Sequence, residues 1–207
     1  VTAGRVELIG AEWDDSAAPV LPLASWLHGF HAGAATYRRL GLPQPRVWGR
    51  RRFGLSPAWP QLLRRFGYQG ALHVMFDDGI YPDEESSRFR WQGHDESTLN
   101  AFSRIPLAAD AAPTFLRLPQ RLGESMDHDH VAAICLARWP DVTAPWLGDL
   151  VRMRRYAPVL GTFTTFREMF ATPGATGKLV AAKAGDYFTP FLLQHVARRE
   201  TDPLTRY

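Results

Sequence analysis

Neighbouring carboxylates give this sequence its clearest potential for chemistry. Asp77 and Asp78 stand together in the run Phe76-Asp77-Asp78-Gly79. Adjacent carboxylates at the end of a strand can support proton transfer or metal binding. The alternative interpretation is a turn that closes a strand, because Asp-Gly pairs favour turns. Both interpretations remain open from the residues alone.

Three further side chains are candidates for a binding or catalytic site. Trp91 and Asp95 lie in the stretch Phe89 to Ser97, and Asp141 follows the apolar run Val131 to Ala137. An aromatic ring can stack on the face of a sugar, but a tryptophan can equally fill the core. Asp141 can donate a proton, or it can simply form a turn ahead of Trp146.

The elements that must position these residues alternate between short apolar runs and longer helical patterns. This alternation predicts an α/β fold with a parallel sheet. The predicted strands are Val6–Ile9, Arg46–Trp48, Gly70–Phe76, Val131–Leu136 and Thr114–Arg117. The predicted helices lie within Pro22–Leu40, Ala58–Phe66, Ala144–Tyr156, Thr164–Phe170 and Gly185–Arg199. In such folds the chemistry gathers where the parallel strands end, which indicates residues 50–54, 77–79 and 138–141.

Composition limits the function classes. The 207 residues suit one domain, with 24 Lys and Arg against 21 Asp and Glu, and this net charge of +3 does not indicate nucleic acid. The single cysteine, Cys135, can form no internal disulfide. The sequence contains neither an apolar stretch long enough for a membrane span nor a signal-peptide pattern, and it leaves the compartment open.

Four segments, read in order, resemble the catalytic domain of glycoside hydrolase family 38, the α-mannosidases. Residues 4–15 are similar to an opening G-x-x-E-x-x-G-G-x-W followed by acids, and residues 47–56 to W-x-x-D-x-F-G-x-S. Residues 63–70 resemble the helix and strand that follow, and residues 89–97 resemble F-x-W-x-G-x-D-G-S. The resemblance covers nearly the whole chain.

The resemblance implies an incomplete (β/α)7-type barrel, with residues 1–207 forming a single domain that is a fragment of a larger catalytic barrel. The rest of the barrel and the downstream domains would then be its partners, and a carbohydrate its ligand. Asp141 would take the place of the acid/base, and Trp91 and Asp95 would hold the sugar. Asp77 or Asp78 would line the pocket.

One departure from the family bears on activity. Arg51 stands where W-x-x-D-x-F-G has the aspartate that is both nucleophile and zinc ligand in the family. Arginine is permanently cationic and has no lone pair for a metal. The H-x-D zinc pair of the family would precede Val1, so we expect no zinc or other cofactor in this chain. Whether the chain is an enzyme stays open.

Two alternatives accompany this interpretation. Phe76-Asp77-Asp78-Gly79 also resembles the signature of metal-dependent carbohydrate deacetylases, although His128-Asp129-His130 lacks the spacing of their histidine pair. The chain could equally be a non-catalytic sugar-binding protein that kept the fold. In both alternatives the expected ligand remains a carbohydrate.

Overall fold

The computed structural model describes most of the chain. The described residues are 4, 6–10, 12–14, 21–51, 55–75, 79–80, 85–104, 106–108, 111–124, 126–127, 130–131, 135–136, 145–156, 161–172 and 177–199. The helices are α1 (Leu23–Arg39), α2 (Trp59–Arg65), α3 (Ala112–Glu124), α4 (Pro145–Tyr156), α5 (Phe166–Ala171) and α6 (Ala184–Ala197). The main strands are β1 (Val47–Arg50), β2 (Gly70–Met75), β4 (Ser86–Gln92), β5 (Thr98–Ser103) and β10 (Leu179–Ala181). Five two-residue strands are β3 (Gly79–Ile80), β6 (Leu107–Ala108), β7 (Met126–Asp127), β8 (His130–Val131) and β9 (Cys135–Leu136).

The main sheet is mixed and rich in parallel pairs. Its strand order is β1-β2-β5-β4-β10, with β3 attached to β2. Strands β1, β2 and β5 run parallel to one another, β4 runs antiparallel to β5, and β10 runs parallel to β4. The α/β class predicted from the sequence is therefore confirmed. The barrel implied by the resemblance stays a prediction.

Two edges of this sheet are needed to place the candidate residues. We call the side where β1, β2 and β5 end, at Arg50, Met75 and Ser103, the carboxyl edge. Strand β4 starts at the same edge, because Ser86 pairs with Ser103. The opposite side is the amino edge, and the turn of residues 93–97 between β4 and β5 lies there.

Apolar side chains cover both faces of the sheet, as the alternation of side chains along a strand requires. The first core contains Phe30, Trp48, Leu55, Trp59, Leu62, Leu63, Tyr68, Ala71, Phe89, Trp91, Leu99, Ala101 and Tyr187. The second core contains Val47, Leu72, Val74, Phe102 and Phe170. Helices α1 and α2 therefore pack on one face and α5 on the other.

Local sequence signals explain where the helices begin and end. Pro60 lies in the first turn of α2, where its missing N–H costs no hydrogen bond. Helix α5 begins with a capping box, in which the Thr165 hydroxyl accepts from the N–H of Glu168 and the Glu168 carboxylate accepts from the N–H of Thr165. Gly67 follows α2 with a φ of 82°, a conformation that glycine adopts without strain.

Three predicted strands differ from the structure. Residues 114–117, predicted as a strand, lie inside α3. Residues 6–9 form no regular strand, although Gly10 N donates to Val47 O at 3.1 Å and holds this segment against β1. The predicted strand 131–136 appears only as the ends β8 and β9 within the described residues.

The hairpin of β4 and β5 was not among the predicted strands. Its signal is the alternation of buried Phe89 and Trp91 with more polar neighbours, a period of two. Strand β4 is antiparallel to β5, so this part of the sheet departs from the parallel arrangement that the sequence predicted. Among the described helices, none has the length and apolar character needed to cross a bilayer.

Candidate functional site

The carboxyl edge holds a buried ion pair between Glu12 and Arg50. Their Oε1 and Nε atoms are 3.3 Å apart, and both side chains are almost fully buried. The other carboxylate oxygen of Glu12 accepts from Nε1 of Trp48 at 3.0 Å. The guanidinium of Arg50 also lies over the ring of Trp59, 5.8 Å from its centroid. These contacts connect the end of β1 to the amino-terminal segment and to α2.

Arg51 follows the last residue of β1 and therefore lies at the carboxyl edge, with its side chain partly exposed. The sequence predicted Arg51 just after a strand, which agrees with this position. Its chemistry does not fit a zinc site, because a guanidinium donates hydrogen bonds only and offers no lone pair. Within the described residues there is also no group of three or more His, Cys, Asp or Glu side chains that could hold a metal.

A second charged cluster lies where β5 ends and β4 begins. Glu85 contacts two arginines, Arg104 at 3.8 Å and Arg121 of α3 through a short hydrogen bond. Arg104 also donates from Nε to Oγ of Ser87 at 3.2 Å. This cluster holds α3 against the carboxyl edge.

Trp91 lies on β4 with its side chain fully buried in the first core. The ring packs against His73, with 4.6 Å between centroids, and against Trp48 at 6.3 Å. The sequence left open whether Trp91 stacks on a sugar or fills the core. The structure shows a core tryptophan. Its ring faces contact protein, so it does not offer a sugar-stacking surface here.

His73 forms the polar centre of this aromatic group. Its Nε2 atom lies 2.8 Å from the hydroxyl of Tyr187 on α6, in a fully buried position. Burial disfavours the charged imidazolium and lowers the pKa of His73 to about 3. Burial likewise raises the pKa of the Tyr187 hydroxyl, so both groups are neutral at neutral pH. The pair joins α6 to the middle of the sheet.

Asp95 lies at the amino edge, in the exposed turn between β4 and β5. Its carboxylate accepts from the backbone N–H of Ser97 at 3.1 Å and from the Ser97 hydroxyl at 2.6 Å. The hydroxyl bond is the main reason that the pKa of Asp95 is lowered. Strand β5 separates this turn from the carboxyl edge, so the structure does not bring Asp95 and Arg51 together.

The remaining candidates lie outside the described residues. Asp77 and Asp78 follow β2 two and three residues after Met75, and Asp141 precedes α4. The sequence had identified Arg51, but it did not single out Glu12, Arg50, Glu85 or Arg104 as site residues. The sequence offered a partial signal for the first pair, since Arg50 follows the predicted strand that ends at Trp48. Only the folded structure shows that they meet.

Comparisons with known proteins support the fold. The chain is similar to a crystal structure of 4-α-glucanotransferase from Thermococcus litoralis, with a TM-score of 0.57 and 12% identity over 88% of this chain. It is also similar to an α-mannosidase from Enterococcus faecalis V583, with a TM-score of 0.53 and 11% identity over 87% of this chain. The chain spans 29% and 22% of the lengths of these two proteins. No protein-family model and no curated protein matches the sequence.

Proposed function

We propose that this chain is an α-mannosidase-like glycoside hydrolase domain that binds a glycan at the carboxyl edge of its sheet. The observation that carries the proposal is the position of Arg51 at the end of β1, in a fold similar to parts of two enzymes whose names denote action on sugars. Parallel α/β sheets bind their ligands at this edge, because loops from several strands meet there. The charged groups of Glu12, Arg50 and Glu85 lie at or beside it.

Recognition of a sugar is better supported than its hydrolysis. A retaining glycosidase needs one carboxylate to attack the sugar and a second carboxyl group to protonate the leaving oxygen. Arg51 holds the position where the resembled family has the attacking acid, and a guanidinium cannot form the covalent intermediate. The proposed domain therefore retains the binding surface with altered or lost chemistry.

The other candidate residues take different parts in this proposal. Asp77 and Asp78 would accept hydrogen bonds from sugar hydroxyls beyond the end of β2. Asp141 would be the acid if any hydrolysis remains. Trp91 stabilises the first core on one face of the sheet, and Asp95 shapes the turn at the amino edge.

The first experiment is a glycan array followed by calorimetric titration, together with assays of nitrophenyl mannosides. We expect specific glycan binding with turnover absent or very low. Turnover that Asp141→Asn abolishes would show an active hydrolase. It would contradict the proposed loss of catalytic activity. A protein that binds no glycan would contradict the proposed function itself.

A metal-dependent carbohydrate deacetylase remains the second candidate. The observation in its favour is that β2 ends at Met75 at the carboxyl edge, and Asp77 and Asp78 come two and three residues later in the sequence. If this candidate is correct, the purified protein carries a divalent ion that Asp78→Ala removes. Elemental analysis of the two proteins measures this directly, and equal metal content would exclude it.

A further inference from the structure

Trp13 differs from the other tryptophans that the structure describes, because its ring reaches solvent. Its side chain is 63% exposed. The others are buried or half-buried, and they are Trp26, Trp48, Trp59, Trp91 and Trp146. An indole ring in water forgoes the burial of a large apolar area, and tryptophan is enriched at surfaces that bind partners. The exposed ring is therefore a candidate binding surface.

The residue before Trp13 places this ring at the carboxyl edge. Glu12 contacts Arg50, the last residue of β1, and accepts a hydrogen bond from Nε1 of Trp48. Because consecutive Cα atoms are about 3.8 Å apart, Trp13 lies beside the end of this strand. A glycan is proposed to bind at the same edge. The ring that the sequence suggested for stacking, Trp91, lies inside the first core instead.

Two sets of contacts fix the backbone that carries the Trp13 ring. The backbone N–H of Trp13 donates to the carbonyl oxygen of Gly29 in α1 at 3.0 Å. The preceding Glu12 is held by its ion pair with Arg50 and by the hydrogen bond from Trp48. The ring is therefore attached to a backbone that is ordered before any ligand arrives, which lowers the entropy that binding costs.

An exposed indole ring is suited to the apolar face of a pyranose. In a pyranose chair most hydroxyls lie around the rim, and axial C–H groups project from the two faces. The face of an aromatic ring carries partial negative charge, so it attracts these C–H groups, and stacking removes both surfaces from water. In mannose the 2-hydroxyl is axial, and the opposite face carries the axial hydrogens of C3 and C5. This face is the one that can stack on indole.

We propose that Trp13 is the stacking surface for one pyranose ring of the bound glycan. This inference rests on the proposed glycan-binding function, and it names the residue that orients the sugar and the ligand class, a neutral pyranoside. The contact contributes affinity through apolar area and transfers neither charge nor protons. It therefore operates whether or not the domain hydrolyses its ligand.

Calorimetric titration with two neutral probes, α-1,2-linked mannobiose and maltotriose, tests the contribution of Trp13 to affinity. We expect Trp13→Ala to weaken the binding of the better probe between about threefold and tenfold, the usual contribution of a stacked aromatic contact. Trp13→Phe should keep part of the affinity, because it retains a smaller ring. Tyr156→Ala is the matched control, since Tyr156 is an exposed aromatic ring at the end of α4, and its binding should not change.

Proton NMR of the bound sugar distinguishes stacking from a purely structural role of Trp13. The ring current of a stacked indole shifts the axial ring hydrogens of the sugar upfield, and a structural contact elsewhere does not. We expect this upfield shift with the wild type and a smaller one with Trp13→Phe. Thermal unfolding checks that each variant folds, and the wild-type spectrum is decisive even if Trp13→Ala does not fold.

The outcomes separate the stacking role of Trp13 from the function on which it rests. Binding that stays within about twofold of the wild type in Trp13→Ala overturns the stacking role while glycan binding stands. Sugar hydrogens that show no upfield shift when bound to the wild type overturn it as well. A wild-type protein that binds neither probe nor any glycan on the array contradicts the proposed function itself.

Discussion

The two edges of the sheet hold their charged side chains in opposite ways. At the carboxyl edge, Glu12 and Arg50 are 38 positions apart in the sequence, and they meet in a buried setting. At the amino edge, Asp95 bonds to Ser97, only two positions away, in an exposed turn. A charge that is satisfied locally shapes a turn, whereas a charge brought into a core by distant chain segments needs the whole fold. At the carboxyl edge, the protein therefore holds charged side chains in buried positions, which costs folding free energy unless the charges are paired.

The strongest test of this contrast is Glu12→Ala. It leaves the buried guanidinium of Arg50 without its carboxylate and removes the acceptor for Trp48. We expect the free energy of unfolding to fall by about 3 kcal/mol or more, as for other broken buried ion pairs. Urea unfolding followed by circular dichroism measures the change.

The double variant Glu12→Ala/Arg50→Leu is the control for this loss. It removes both charges, so it should recover a substantial part of the lost stability. A loss below about 1 kcal/mol for Glu12→Ala would show that the pair is equivalent to a surface salt bridge, and the contrast between the edges would then fail.

We expect an effect of intermediate size on the free energy of unfolding from His73, which lies in β2 between the two edges. Its folded pKa of about 3 lies below the ordinary value of 6.5, so the unfolded chain binds the proton more readily. The stabilising contribution is complete above pH 6.5 and decreases as the pH falls from about 6.5 towards 3. The slope is about 1.4 kcal/mol per pH unit well inside this window.

Denaturant titrations between pH 7 and pH 5 test this pH dependence. The His73→Gln variant should lose less stability over this range than the wild type, because glutamine does not titrate. His94→Gln is the matched control, since His94 is exposed in the turn at the amino edge. Parallel pH profiles for the wild type and His73→Gln would refute the buried neutral state of His73.

The smallest effect is expected for Asp95→Ala at the amino edge. The side chain is exposed and its partner Ser97 can bond to water, so we expect a loss of about 0.5 kcal/mol or less. Glycan binding should not change, because Asp95 lies at the edge opposite to Arg51. A loss of binding in a folded Asp95→Ala protein would contradict the placement of the site at the carboxyl edge.

The sequence predicted those parts of the fold whose signals are local. Helix α1 was predicted within residues 22–40 and spans 23–39, and β2 was predicted at 70–76 and spans 70–75. The strand predicted at 114–117 failed because β-prone residues such as Thr114 and Phe115 lie in a longer helical stretch. Strand β4 was missed because its residues were interpreted as a motif in a loop.

The candidate site was harder to predict because it depends on contacts between distant residues. The sequence placed Arg51 at the end of a strand, since a strand end can be read from a short window. It could not show that Trp91 is buried, because this depends on Trp48, His73 and Tyr187 packing around it. For the same reason the sequence could not show that Glu12 pairs with Arg50, since the two residues are distant in the chain.

The segment that carries Glu12 has a further effect on β1, which ends the strand order of the main sheet. Gly10 bonds to Val47, and the side chains of Ile9 and Glu12 lie on opposite faces of the strand. The segment thus passes around an edge that could otherwise pair with a strand of another molecule. Because the segment covers part of this edge as well as pairing with Arg50, we expect its loss to favour self-association.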